Sequence, residues 1–63
     1  MTEQILLAAT ELLNLKHISA ARRIVEQSLD ASAVLALIAE HYPPHAVAIY
    51  KRDLEIGMEV VCT

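Results

Sequence analysis

The stretch DASAVLALIAEHYPPH, Asp30 to His45, decides the fold. Asp30 or Ser32 offers a side-chain oxygen to the free N–H groups that open a helix. From Ala33 to Ala39 every residue is apolar, so the helix that follows has no polar face until Glu40. A helix of that kind is buried all round. Pro43 then drives Tyr42 away from helical dihedrals, which ends the helix near His41. Pro44 suits the first turn of a further helix, where a missing N–H costs nothing. The segment reads as an apolar helix, a proline joint and a helix start.

The joint carries two of the three histidines. A pair four residues apart holds a metal when a continuous helix aligns the two rings, and here two prolines interrupt that helix. His17 and Cys62 are each far along the chain. His41 and His45 are therefore read as exposed helix-end residues, and neither a metal nor a cofactor is expected. Catalysis is not expected either. Cys62 lies beside a chain end with nothing to stabilise a thiolate, and the single glycine, Gly57, cannot build a phosphate-binding loop.

The flanking sequence is also helical, rich in alanine, leucine and glutamate and without a β-hairpin signal. A first helix is predicted from about Glu3 to Lys16, capped by Thr2. Ile5, Leu6, Ala8, Ala9, Leu12, Leu13 and Leu15 share one half of its wheel, and Leu7 is stranded on the polar half. Ser19 is expected to cap a second helix to about Leu29, with Ala21, Ile24, Val25, Ser28 and Leu29 inward and Arg22, Arg23, Glu26 and Gln27 outward. The fourth helix places Ala46, Ile49, Tyr50, Asp53, Leu54, Ile56 and Gly57 along one face. It either stops at Gly57 or runs on to Val61.

Sixty-three residues make one domain, spanning 1–63. A chain this short buries only about 60% of the surface its unfolded form exposes. Its apolar content is nonetheless 56%, above the usual 45–50%. Surplus apolar surface on a small chain points to burial against another molecule. Eight acids against five bases give a net charge of −3, which disfavours nucleic acid and anionic lipid. The segment Asp30–Tyr42, read as a DNA-recognition helix, offers no Arg, Lys, Asn or Gln to base edges. No apolar run approaches the roughly 18 residues that span a bilayer. One cysteine and an N-terminus with no basic residue before Lys16 fit a reducing cytoplasm.

Ala9 to Leu29 resembles a tetratricopeptide-type helical hairpin. Ala9 and Leu12 stand at small and large positions of the first helix. Ile18, Ala21, Val25, Ser28 and Leu29 stand at aromatic-or-apolar, alanine, large, small and leucine positions of the second. Ala46, Tyr50, Asp53 and Leu54 echo that second helix 25 residues on, against the family's 34, and Lys16 stands where the family often has glycine. The resemblance implies stacked helices whose exposed faces bind peptides or other helices.

The expected fold is all-α, with three to four short helices in one or two antiparallel hairpins, tetratricopeptide-like or a small helical bundle. The expected function is non-catalytic protein–protein interaction, as a small chaperone, adaptor or inhibitor subunit, with another protein or a second copy as partner. The expected contact residues are Leu7, Val34, Leu37, Ile38, Tyr42, Ile49, Tyr50 and Asp53. Two alternatives carry different signatures. A small acidic inhibitor of phage or mobile-element type would bind through Glu26, Glu40, Glu55 and Glu59, with strong salt dependence. A dimeric helical transcription regulator would depend on Lys51 and Arg52.

Overall fold

The computed structural model describes residues 2–63, without the side chain of Thr2, and forms a bundle of four helices with no strand among the described residues. The helices are α1 (Thr2–Leu13), α2 (His17–Glu26), α3 (Ala31–Ala39) and α4 (Pro44–Cys62). The all-α architecture follows the sequence pattern. The cap expected at Thr2 rests on a side chain outside the described residues.

The first two turns are built alike, and neither uses glycine. After α1 the Leu15 N–H donates to the Leu12 carbonyl, and the Lys16 N–H reaches back to Glu11 at 2.9 Å. After α2 the Ser28 N–H donates to Val25, and the Leu29 N–H to Ile24 at 2.8 Å. Both are paired C-terminal closures in which the residue past the helix takes a left-handed conformation. Leu15 (φ 63°) and Ser28 (φ 53°) are those residues. The first closure ends α1 at Leu13, short of the expected Lys16. It also starts α2 at His17, so Ser19 lies inside the first turn and the N-cap position belongs to Lys16, which makes no side-chain cap bond.

At α3 the cap is Asp30, whose carboxylate accepts the Ser32 N–H at 2.9 Å. The helix ends at Ala39, and the N–H groups of His41 and Tyr42 both donate to the Ile38 carbonyl. Pro43 is extended and Pro44 occupies the first turn of α4, the arrangement the double proline requires. Gly57 does not stop α4, which runs to Cys62.

The core comprises Ala8, Ala9 and Leu12 of α1, Ala20, Ala21 and Ile24 of α2, Val34 and Ile38 of α3, and Leu54 of α4. The most extensive helix pair is α2 with α4, followed by α1 with α2. Arg23 lashes the latter pair together. Its Nε donates to Glu11 Oε1 at 2.6 Å and its Nη1 to Gln4 Oε1 at 2.8 Å. Gln4 and Glu11 lie on either side of Ala8 along α1, so one arginine spans two turns. The hydrogen bond to Glu11 raises the Arg23 pKa above its ordinary value, with the Glu11 charge adding to it. Arg23, expected to point outward, is a helix-to-helix brace.

Candidate functional site

The eight expected contact residues do not form one surface. Val34 and Ile38 are fully buried core residues, out of reach of any partner of the folded chain. The reason lies in how α3 packs. Its sequence, apolar from Ala33 onward, is sided, with Val34 and Ile38 inward, Ala31, Ala33, Leu35 and Leu37 half-buried, and Ser32, Ala36 and Ala39 exposed. Alanine exposed to water costs little, so a helix that is apolar all round need not be covered all round. Leu37 packs against the edge of the core. Leu7 is exposed on α1.

Tyr42, Tyr50, Ile49 and Asp53 lie in the second half of the chain. The two tyrosine rings meet edge to face, with centroids 5.9 Å apart and planes at 79°, a favoured aromatic geometry. Tyr42 is exposed and Tyr50 half-buried against the core. This contact closes the proline joint from outside, and a shallow apolar concavity lined by Ala39, Tyr42, Pro44, Val47 and Ala48 adjoins it. His41 and His45 are both exposed. Among the described residues no group of three His, Cys, Asp or Glu side chains is placed to hold a metal ion.

Ile49 and Asp53 belong to a larger feature that the sequence reading missed. Along the outer side of α4, Ile49 (59% exposed), Ile56 (46%) and Val60 (54%) follow one another with Asp53 between the first two. Their spacing is four, three, four, the interval that keeps residues on one line of a helix. Ile56 is expected on the inner face with Gly57, but that face is rotated. Leu54 and Gly57 define the buried side, and the Ile49–Val60 line runs along its flank. The four-three-four interval is visible in the sequence. What hid it was the assumption that α4 has a single apolar face.

Gly57 sets the helix crossing. A Cβ at this position would lie 2.5 Å from the His17 carbonyl oxygen and 3.2 Å from the Ala21 Cβ, so the backbones of α2 and α4 meet there without side chains between them. On α2, Ile18 and Val25 stand three before and four after Ala21, and both are exposed. The expected inward placement of Val25 and Ser28 does not hold. Of the tetratricopeptide-like positions, Ala9, Leu12 and Ala21 are buried, whereas Ile18, Val25 and Ser28 are exposed. Leu6 of α1 and Leu15 just past its end, both expected inward, are exposed as well.

The charged residues are distributed. Glu26, Glu40, Glu55 and Glu59 are all exposed, but they sit on α2, after α3 and on α4. Lys51 and Arg52 are exposed and adjoin Asp53 and Glu55. Among the described residues no helix is long and apolar enough to cross a membrane. Compared with known proteins, the chain matches no family model, no curated protein and no solved structure.

Proposed function

We propose that the chain is a non-catalytic protein-interaction module, a small chaperone, adaptor or inhibitor subunit, that works by burying apolar helix faces against a partner. The observation that carries this reading is the balance of exposed and buried apolar side chains. Among the described residues nine large apolar side chains are exposed, against nine apolar residues in the core, four of them alanine. Scattered exposed leucines are ordinary. Three β-branched residues in line on one helix, flanked by two more on the helix it crosses, form a patch of the kind that marks interaction surfaces. A tetratricopeptide-like stacking mode suits the same surface, because such hairpins bind through the helix faces that no neighbour covers.

The test is site-specific photo-crosslinking in the producing cell. A benzophenone side chain replaces Ile56 in one variant and Gln27, on the exposed polar side of the molecule, in another. Discrete adducts from position 56 and none from position 27, with the adducted protein then binding the purified chain, is the expected result. Equal labelling at both positions, or no adduct at position 56, overturns the reading.

A further inference from the structure

The Ile49–Val60 line of α4 has a charge pattern that selects its own occupant. We infer that this face pairs with α4 of a second copy of the chain, running antiparallel, about a two-fold axis near Leu54 and Glu55. The inference rests on the interaction-module reading above and names the partner for one face of it.

In that arrangement Ile49 of each copy packs on Val60 of the partner subunit, and Asp53 on Ile56 of the partner subunit. Large apolar side chains thereby fill both ends of the seam. Arg52, one position before Asp53, comes opposite Glu59 of the partner subunit, within two residues of perfect register. Two-fold symmetry generates the pair twice. A parallel, in-register copy does the reverse. It stacks Asp53 level with Asp53 within the seam, where the antiparallel pair offsets the two carboxylates by about 4.5 Å along the axis, and it leaves Arg52 facing the glycine side of its neighbour, with no acid to meet it. Like charges brought together in a contact are destabilising, and a polar residue at a seam position sets orientation at some expense of stability. The charge order along α4, base first and acid second, is therefore self-complementary only head to tail.

Interface area sets a further requirement. A standard interface covers roughly 800 Å² per partner, about a fifth of the 4196 Å² that this chain exposes. The three turns of α4 from Ile49 to Val60 alone fall short of that area. Ile18 and Val25 of α2, beside the Gly57 crossing, extend the patch on one flank, whereas the groove between α3 and α4 lies on the opposite side of α4, lined by Leu35, Leu54 and Met58.

The experiment is mass by light scattering over a wide dilution series, with far-ultraviolet circular dichroism on the same samples. The wild type is expected to reach twice the monomer mass as concentration rises. Ile56→Glu, at an exposed position, is expected to remain monomeric with wild-type helicity. Arg52→Glu and Glu59→Arg are each expected to weaken the dimer by about tenfold or more, and the double variant to restore it. Cys62 is exposed and the only cysteine, so spin labels on it report direction. Antiparallel pairing separates the two labels by about 22 Å along the axis at ~1.5 Å per residue, and parallel pairing brings them level. A wild type that stays monomeric, a dimer indifferent to Ile56→Glu, a charge swap that fails to restore, or labels lying level each overturn the inference. A monomeric chain that still crosslinks another protein from position 56 removes the second copy and leaves the module reading standing. No adduct and no dimer removes both.

Discussion

Leu15 is the residue whose backbone most contradicts its side chain. A left-handed conformation brings an L-residue's Cβ against the following carbonyl, at roughly 1–2 kcal/mol, and glycine avoids this. Leu15 is 73% exposed, so little burial offsets the strain. Leu15→Gly is expected to stabilise the chain by about 1 kcal/mol, seen as a higher urea midpoint with an unchanged slope. A lower midpoint would show that the backbone freedom glycine adds to the unfolded chain outweighs the strain it relieves. Gly57 is the opposite case. Glycine inside a helix normally forfeits up to about 1 kcal/mol relative to alanine, so Gly57→Ala would ordinarily stabilise α4. Here the added methyl group meets the His17 backbone at 2.5 Å, and backbone cannot swing away. The variant is expected to destabilise by roughly 1–3 kcal/mol, with α2 and α4 forced apart. Neither position was legible as such. The tetratricopeptide-type turn glycine falls at Lys16, one residue past the left-handed Leu15, and the single glycine lies inside a helix that it was allowed to end; propensity suggests both placements, and packing decides them.

The helices themselves were legible to different degrees. α3 and the proline joint are written in local chemistry, since a carboxylate caps an N–H, a proline restricts its predecessor, and neither needs a distant partner. Asp30→Ala is accordingly expected to cost about 1 kcal/mol, read as a lower thermal midpoint, whereas Ser19→Ala, inside the first turn of α2, should be nearly neutral. The boundary of α2 was missed because Ser19 is a good cap residue that the preceding turn had already bypassed. Its polar face was misread for a different reason. Arg23 and Glu11 are solvent-facing on their own wheels, and only the approach of α1 to α2 turns them into a brace. Arg23→Ala is expected to lower the urea midpoint more than Arg22→Ala does, because Arg22 is exposed and makes no such bond.

Across the whole molecule, stability depends on very few large side chains. At 0.05–0.15 kcal/mol per residue, a chain of this length is stable by roughly 3–9 kcal/mol. Among the described residues Leu12 is one of three large side chains with almost no exposure, and truncating such a residue costs about 2–5 kcal/mol. Leu12→Ala is therefore expected to remove a large part of that stability, measured by ellipticity as a lower urea midpoint. Recovery of that midpoint at high protein concentration would link folding to association. Helix count, the joint between α3 and α4, and an apolar excess beyond what this chain can bury all follow from residue types and their order, because caps, prolines and composition act locally or by simple sum. The rotation of α4, the burial of Val34 and Ile38, the brace at Arg23 and the close crossing at Gly57 follow from how the helices meet. An amphipathic pattern says that a face is apolar. Which of two apolar faces is covered depends on where a neighbouring backbone can come closest, and in this chain that place is the one residue without a side chain.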